Sequence, residues 1–370
     1  MTGQSPANRP LFQRFPVLRG RLPFVELAAL PTPVRPLAAL GRHIGVSSLH
    51  VKDDAATHGV YGGNKVRKLE FLLAAALAEK AKSVLTFGYA GSNHATATAV
   101  HASSLGLGSI SMLLPQENAA YLRKNLLVSA AVGAELHEYP SRATLIAGTA
   151  LTMLRHRLRS GRAPYVIAPG GSSPLGTVGF VNAAFELAAQ VEAGLLPLPS
   201  SIYAAGGSLG TVVGLSIGLA ALGLPTRVVG VRVVDENFVN TSRAAGLWRK
   251  TCALLRHEDA AFPELPFDPD RLRLRGEFFG GVYARVTEAA AEASGLASHL
   301  EGLSLDGTYT AKALACLVAD ARSGELGSRR VLFWNTCNGA DLTALAAKAT
   351  PSQLPPRLRR YFTDTGDAGE

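Results

Sequence analysis

Lys65 is the residue of this chain whose type and setting best suit covalent chemistry. It follows Gly62, Gly63 and Asn64 and stands at the opening of a predicted helix. The glycines allow a sharp backbone turn, and the positive end of the helix dipole and any desolvation disfavour an ammonium in the first helical turn. A neutral amine is what Schiff-base formation requires. Taken alone, the motif fits a glycine turn with a surface lysine equally well.

A second motif, residues 206–211, has the composition of an anion site. It reads Gly-Gly-Ser-Leu-Gly-Thr and lies between a predicted strand and an apolar helix. Exposed N–H groups, the hydroxyls of Ser208 and Thr211 and a helix N-terminus together predict a bound phosphate. The loop lacks the Gly-x-Gly start of a dinucleotide fingerprint and the Gly-Lys-Ser/Thr end of a P-loop. Asp235 ends the next strand and could mimic a ribose-binding acid, which leaves a nucleotide-binding protein open as an alternative.

A third motif, Gly91-Ser92-Asn93-His94, again separates a predicted strand from a helix. Serine and asparagine are common helix caps. A serine at this place could also contact a substrate carboxylate or carry a proton. The two interpretations are compatible.

The elements that must position these motifs alternate along the chain from Ser47 onward. The predicted strands are residues 49–52, 83–87, 109–114, 165–168, 201–205, 227–234 and 330–334. The predicted helices are residues 65–80, 93–105, 119–132, 175–192, 209–222 and 309–323. This alternation predicts parallel strands, helical crossovers and ligands at the strand C-terminal ends. Residues 235–276 predict an irregular or partly helical segment, and we expect weak order after Thr350.

Length and composition exclude several classes of protein. With 370 residues and 47% hydrophobic content, two interleaved domains are expected. The net charge of +9 comes without a nucleic-acid-binding motif, which predicts a solvated basic surface and no nucleic-acid partner. The absence of a signal-peptide core or a stretch of about 18 apolar residues predicts no membrane association and a cytoplasmic location. Three cysteines without metal-ligand spacing fit a reducing compartment and no metal site.

In this order, the motifs resemble those of the fold-type-II pyridoxal-phosphate enzymes of the D-cysteine desulfhydrase and 1-aminocyclopropane-1-carboxylate deaminase group. The resemblance spans roughly residues 15–345, and its most specific part is Gly-Gly-Asn-Lys-x-Arg-Lys-Leu-Glu at residues 62–70. Further matches are Lys52-Asp53-Asp54, Asn125-Leu126-Leu127, Gly170-Gly171-Ser172, Leu305-Asp306 with Tyr309-Thr310, and Val331-Leu332-Phe333. It implies an α/β fold with two open, mostly parallel sheets flanked by helices and the cofactor in an interdomain cleft.

The resemblance also implies which residues hold the cofactor, pyridoxal 5'-phosphate. Lys65 matches the lysine that carries it as a Schiff base, Asn93 the partner of its ring hydroxyl, and Thr336 a residue near its pyridine nitrogen. The residues that match the phosphate cup are Gly207, Ser208, Leu209, Gly210 and Thr211.

The catalytic residues implied by the resemblance are Lys65, Ser92, Tyr283 and Tyr309. Ser92 resembles the catalytic hydroxyl near the substrate, and the two tyrosines resemble a pair that borders it. The substrate-side motifs depart from the group: Gly91 stands where glutamine is usual, and residues 335–338 read Asn-Thr-Cys-Asn where His-Thr-Gly-Gly is usual. The cofactor is therefore better supported than the identity of the substrate.

The expected protein is a homodimeric lyase or deaminase acting on a small amino acid, with D-cysteine desulfhydrase-like β-elimination to a keto acid and ammonia as the main interpretation. Thr310 and Thr336 favour it, because the desulfhydrases have threonine at both positions and the deaminases have glutamate and leucine. Deamination of 1-aminocyclopropane-1-carboxylate and a noncatalytic cofactor-binding relative remain alternatives. The expected domains are a large one of residues 10–67 and 179–345, an inserted one of residues 68–178, and a tail of residues 346–370.

Overall fold

The structure, a computed structural model, describes residues 9–363. The chain divides into two compact units. Within the described part, unit 1 holds residues 9–71 and 172–339, and unit 2 holds residues 72–171 and 340–363. Each unit has its own β-sheet and its own hydrophobic clusters.

The secondary structure of the described residues alternates strands and helices. The strands are β1 (Val34–Pro36), β2 (Ser48–Asp53), β3 (Ser83–Tyr89), β4 (Gly108–Leu114), β5 (Glu135–Glu138), β6 (Tyr165–Ile167), β7 (Ser201–Gly206), β8 (Arg227–Arg232), β9 (Leu272–Arg275) and β10 (Arg330–Asn335). The helices are α1 (Pro10–Arg14), α2 (Pro16–Arg21), α3 (Ala38–Ile44), α4 (Lys65–Ala78), α5 (Asn93–Ser104), α6 (Ala120–Ala131), α7 (Arg142–Ser160), α8 (Pro174–Glu192), α9 (Gly210–Ala221), α10 (Thr241–Glu258), α11 (Glu288–Glu301), α12 (Thr310–Arg322), α13 (Thr343–Ala346) and α14 (Pro356–Thr363).

The sheet of unit 1 has the strand order β1-β2-β10-β7-β8-β9. Only the pairing of β1 with β2 is antiparallel. Because β2, β10 and β7 run in the same direction, the loops that follow them leave the same edge of the sheet. These loops contain the lysine motif, residues 336–338 and the predicted phosphate loop.

Both faces of this sheet are covered, as expected for parallel strands. Along β7, Ile202 and Ala204 join one hydrophobic cluster, which contains residues of α8 and α9. Tyr203 and Ala205 join the opposite cluster, which contains residues of α11 and α12. The two-residue alternation of a strand therefore explains why β7 is buried along its whole length.

The sheet of unit 2 has the order β5-β4-β3-β6 and is parallel throughout. Leu113 and Leu126 belong to one cluster of this unit, which also contains Leu358 and Tyr361 of the C-terminal helix α14. Tyr361 Oη donates to Glu138 Oε1 at 2.8 Å and so ties α14 to the sheet.

The structure confirms the predicted α/β class, and each of the seven predicted strands and six predicted helices has a counterpart within a few residues. Within the segment expected to be irregular or partly helical, residues 241–258 form a continuous helix, with Trp248, Cys252 and Leu255 buried at helical spacing; this confirms the partly helical interpretation. One expectation was wrong. The weak order expected after Thr350 does not hold for residues 350–363, since α14 packs on unit 2; residues 364–370 lie outside the described part.

A buried ion network ties the first turn of α4 to the core of unit 1. Arg67 donates to Asp54 Oδ1 at 2.7 Å and to Glu186 Oε2 at 2.8 Å. Lys52 pairs with the same Glu186, and Trp334 Nε1 donates to Asp54 Oδ2 at 2.9 Å. Burial disfavours the charged form of Glu186, but Arg67 and Lys52 outweigh it and lower the pKa of this carboxyl to about 2. The network therefore holds charge inside the unit.

Replacing Glu186 by Gln should destabilise unit 1 by about 3–5 kcal/mol at pH 7, because two buried cations lose their shared counter-charge. A carboxyl whose pKa is lowered from 4.5 to about 2 stabilises the fold above pH 4.5 and loses this contribution as the pH falls toward 2. The difference between wild type and Glu186→Gln in urea unfolding should therefore shrink in acid. Glu292→Gln, which breaks the exposed pair with Arg322, is the control; an equal loss in both variants would contradict the prediction.

Candidate active site

The turn before α4 brings Lys65 to the loop after β10. Gly63 has a φ of +87°, and a Cβ there would lie 2.9 Å from Cys337 O and 3.0 Å from Thr336 O. Asn64 N donates to Thr336 O at 3.3 Å. Only glycine permits this conformation and this approach at low cost, so the glycine pair is explained by backbone contact.

The Lys65 amine sits where a neutral form is accessible. Burial lowers its pKa to about 8, against the opposing charge of Asp306. Its Nζ donates to Asn64 Oδ1 at 2.8 Å and lies 5.9 Å from the centre of the Tyr309 ring. Burial has thus shifted this lysine toward the protonation state that imine formation uses.

The predicted phosphate loop is linked to this lysine through Asn64, whose Nδ2 donates to Thr211 Oγ1 at 3.0 Å. Leu209 has a φ of +69°, a rare conformation for a leucine, and directly precedes α9. Ser172 Oγ donates to Ser208 Oγ at 2.9 Å and accepts from Gly210 N at 3.0 Å. Strain of this kind is found at ligand sites, and the helix N-terminus favours an anion.

Lys68 is a residue of this site to which the sequence analysis gave no role. Its Nζ lies 3.3 Å from Ser172 Oγ, and a Cβ on Gly210 would lie 2.9 Å from that Nζ. Burial, followed by the charge of Lys65, lowers the pKa of Lys68 well below its ordinary value. A bound dianion would restore the ammonium form. The sequence signal that could have identified Lys68 is its spacing of three residues from Lys65, which places both lysines on one face of α4.

Two tyrosines close the same part of unit 1. Tyr283 Oη and Tyr309 Oη are 2.5 Å apart. A Cβ on Gly207 would lie 2.9 Å from the Tyr309 ring, so this ring packs against the phosphate loop. Tyr309 N donates to Asp306 Oδ1 at 2.6 Å, which fixes the start of α12.

Residues 335–338 depart from the group's usual motif and are held by their own hydrogen bonds. Asn335 Nδ2 donates to Asp53 Oδ1 at 2.9 Å, and Asn338 Oδ1 accepts from Gly62 N at 2.6 Å. Burial raises the pKa of the Cys337 thiol to about 12, so the thiol stays protonated. This supports a packing role for Cys337.

Ser92 and Asn93 lie in unit 2. Ser92 Oγ accepts from Ala95 N at 3.2 Å and caps α5, which confirms the capping interpretation of this motif. Asn93 Oδ1 accepts from Asn125 Nδ2 at 2.8 Å. The roles assigned to these two residues toward substrate and cofactor stay predictions.

The residues gathered in unit 1 fit a ligand with both a phosphate and an aldehyde. The loop offers backbone N–H groups, the hydroxyls of Ser208 and Thr211, and the Lys68 amine as donors, and Lys65 supplies an amine of lowered pKa. The family model described as pyridoxal-phosphate dependent enzyme matches residues 25–336. The chain belongs to this family.

The relatives of this pyridoxal-phosphate enzyme differ in the reactions that their names describe. A putative 1-aminocyclopropane-1-carboxylate deaminase of Pyrococcus horikoshii is 37% identical over 320 residues, which cover 86% of this chain and 93% of the relative. The nocardicin C-9' epimerase of Nocardia uniformis is 34% identical over 347 residues, 92% of this chain and 99% of the relative. A D-cysteine desulfhydrase of Salmonella schwarzengrund is 36% identical over 307 residues, 80% of this chain and 88% of the relative.

A solved structure supports the fold of this enzyme. The crystal structure of a 1-aminocyclopropane-1-carboxylate deaminase homologue matches with a TM-score of 0.76 and 34% identity, covering 92% of this chain and 100% of that one. Its similarity extends over both sheets, and the architecture is that of a fold-type-II pyridoxal-phosphate enzyme.

Membership in this family removes the nucleotide-binding alternative. Asp235 Oδ1 instead accepts from Asn237 N at 2.9 Å in a local turn. Across residues 9–363, no three His, Cys, Asp or Glu side chains are grouped so that they could hold a metal ion. None of the helices in that range has both the length and the apolar character needed to span a bilayer.

Replacing Lys68 by Met should weaken the binding of pyridoxal phosphate about 10- to 100-fold, the effect of one charge-assisted hydrogen bond of about 1.5–3 kcal/mol. Binding of pyridoxal, which has no phosphate, should be unchanged. Both affinities can be measured by titrating cofactor-free protein and following the visible absorption band. Lys250→Met, at an exposed position of α10, is the matched control. An equal loss for pyridoxal and pyridoxal phosphate would assign Lys68 a structural role.

Proposed function

We propose that the protein is a pyridoxal-phosphate-dependent lyase that eliminates a β-substituent from a small D-amino acid such as D-cysteine. The observation that carries this proposal is the hydroxyl character of positions 310 and 336 beside the lysine site. Thr310 is buried, and its hydroxyl donates to Asp306 Oδ2 at 2.7 Å and accepts from Asp306 N at 2.8 Å. Position 310 thus supplies no carboxylate.

The absence of a carboxylate at position 310 bears on the electron demand of the reaction. Pyridoxal phosphate, when bound, supplies an electron sink for the pair left at the substrate α-carbon. A carboxylate beside the pyridine nitrogen can hold that nitrogen protonated, whereas a threonine hydroxyl exerts a weaker pull. The weaker pull suits a substrate with a good leaving group at the β-carbon. Opening of a cyclopropane ring has no such leaving group.

The residues of unit 1 supply the proton chemistry of this reaction. The Lys65 amine, whose pKa burial lowers to about 8, is a base suited to taking the substrate α-proton near neutral pH. Tyr283 and Tyr309, whose hydroxyls pair with each other, are the residues that we assign to the border of the substrate, where either hydroxyl can donate a proton to the departing sulfide. Loss of sulfide and hydrolysis of the remaining imine convert cysteine and water to pyruvate, hydrogen sulfide and ammonia.

A second candidate function, deamination of 1-aminocyclopropane-1-carboxylate, is favoured by the 37% identical relative whose name describes it. The expected homodimer and the cytoplasmic location stay predictions, which rest on the family resemblance and the cysteine usage. If the altered residues 335–338 abolish turnover, the protein is a noncatalytic relative that binds the cofactor.

Purified enzyme should release sulfide and pyruvate from D-cysteine faster than it releases 2-oxobutanoate from 1-aminocyclopropane-1-carboxylate. Both compounds are offered under matched conditions, with α-proton exchange into deuterium oxide followed in parallel. A clear preference for the cyclopropane substrate would defeat the argument from Thr310 and Thr336. Exchange without any keto acid would indicate epimerisation, and a visible absorption band with neither would indicate a noncatalytic protein. Lys65→Ala should lose both the band and turnover, while Lys82→Ala keeps them.

Ser92→Ala should keep the visible band of the bound cofactor and lose most turnover, since we assign Ser92 to the substrate. The substitution also removes the cap of α5, which costs about 1 kcal/mol. Ser141→Ala removes the same kind of cap from α7 in the same unit and should retain turnover. Loss of cofactor with an unchanged rate per bound cofactor would show that the role of Ser92 is wrongly assigned.

A further inference from the structure

The backbone next to Ser92 is held on both sides by side-chain amides of unit 2. Gly91 is buried; its N donates to Gln116 Oε1 at 2.9 Å, and its carbonyl oxygen accepts from Asn125 Nδ2 at 3.0 Å. Asn125 belongs to α6, and Gln116 lies in the loop between β4 and α6. A buried backbone N–H without an acceptor is unfavourable. The position of residue 91 therefore depends on where the Gln116 side chain lies.

The Ser92 hydroxyl has little room once this backbone is placed. Ser92 N donates to Tyr89 O at 2.9 Å, and its Oγ accepts from Ala95 N at 3.2 Å. A Cβ on Gly88 would lie 2.5 Å from Ser92 Oγ, so the side chain packs directly on the backbone of β3. Because the serine follows Gly91 directly, a shift of that glycine moves the hydroxyl with it.

Glycine at position 91 leaves room for the Gln116 amide. A Cβ there would lie 3.0 Å from Gln116 Nε2 and 2.9 Å from Cε2 of the Tyr121 ring. The same Nε2 donates to Tyr121 Oη at 2.8 Å, which turns the amide oxygen toward Gly91 N. A larger residue at position 91 would displace this amide. The glycine that departs from the group's usual glutamine thus admits a glutamine side chain from another loop.

The C-terminal helix α14 holds the loop of Gln116 from its other side. Gln116 N donates to Tyr361 Oη at 3.3 Å, and Asn118 Nδ2 donates to Tyr361 O at 3.1 Å. Tyr361 Oη donates in turn to Glu138 Oε1, a buried carboxylate that also pairs with Arg360. Burial raises the pKa of Tyr361, so this hydroxyl remains a donor at neutral pH.

We propose that Gln116 is a positioning residue for Ser92, and that Tyr361 of α14 supports Gln116 from outside. The hydrogen bonds run from the Tyr361 hydroxyl to the Gln116 backbone, and from the Gln116 side chain to the residue before the serine. Tyr361 also belongs to the hydrophobic cluster that contains Ala90 and Ala95, which flank this segment. The inference rests on the proposed reaction, in which Ser92 serves the substrate.

The first test replaces Gln116 by Met, which keeps the length of the side chain and removes the acceptor of Gly91 N. We expect kcat/KM for D-cysteine to fall about tenfold, the effect of one hydrogen bond, with the visible band of bound cofactor unchanged. Gln116→Glu keeps an acceptor and should stay within about threefold of wild type. Gln13→Met, at an exposed position of α1 in unit 1, is the control. A wild-type rate in Gln116→Met would overturn the proposal.

A double-mutant cycle separates positioning of Ser92 from support of the fold. If Gln116 acts through the serine, Gln116→Met should change the residual rate of Ser92→Ala by less than about twofold. A residue that only stabilises unit 2 would lower the rate equally with and without the serine hydroxyl. Equal losses in the two backgrounds would therefore overturn the positioning role.

The contribution of α14 is tested by Tyr361→Phe, which removes the hydroxyl and keeps the ring in its cluster. The rate should fall about threefold, and Tyr361→Phe should cause no further loss in Gln116→Met, because both act on one path. Tyr139→Phe makes the same change at a half-buried tyrosine of unit 2 that packs on a different cluster, and it should keep the wild-type rate. Losses that add would overturn the role of α14.

Hydrogen exchange tests the contact between Gln116 and Gly91 without turnover. The Gly91 amide should exchange about tenfold faster in Gln116→Met than in wild type, and Gln116→Glu should restore its protection. Equal exchange in the three proteins would overturn the contact. A wild type that does not turn over D-cysteine rejects the proposed reaction, and the exchange of this amide then decides alone whether Gln116 fixes the loop.

Discussion

The guanidinium of Arg67, held between Asp54 and Glu186, is the interaction on which the rest of the site depends. Arg67 lies two residues after Lys65, so fixing its position fixes the first turn of α4 and with it the reactive amine. The backbone oxygen of Asp54 accepts from Gly63 N at 2.9 Å, which ties the same network to the lysine turn. Buried charges are unfavourable unless every partner is in place. The network therefore links β2, α4 and α8 to one another.

Parallel strand direction supplies the remaining constraint. The loops after β2, β10 and β7 leave one edge of the sheet. The turn before Lys65, the loop of residues 336–338 and the predicted phosphate loop therefore meet there without any long connection. Residues 335–338, which depart from the group's usual motif, do not disrupt this grouping of loops. Asn335 and Asn338 hold it with side-chain hydrogen bonds to Asp53 and Gly62.

The sequence predicted the strands of the two sheets and most of the helices that pack on them, because their hydrophobic residues recur with a regular period. It also predicted the motifs at the ends of these elements. It located less exactly, or missed, the features that depend on distant contacts. The arginine-rich helix α10 is defined by Trp248, Cys252 and Leu255, whose burial comes from packing on other elements. Helix α14 has two buried residues, Leu358 and Tyr361, which pack against the rest of unit 2. Lys68 gains its role from Ser172 and Gly210, more than 100 positions away, and its sequence spacing shows only the shared helix face.

The proximity of Lys65 and Lys68 has a consequence for the life of the protein in a cell. Lys68 is buried and Lys65 is partly buried, and burial together with the charge of Lys65 lowers the pKa of Lys68. A bound cofactor dianion would supply a counter-charge to Lys68, and its binding would add to the free energy of folding by mass action. Protein made when vitamin supply is low would unfold more often and be degraded sooner. Abundance of the enzyme would then follow the supply of its cofactor without any dedicated regulator.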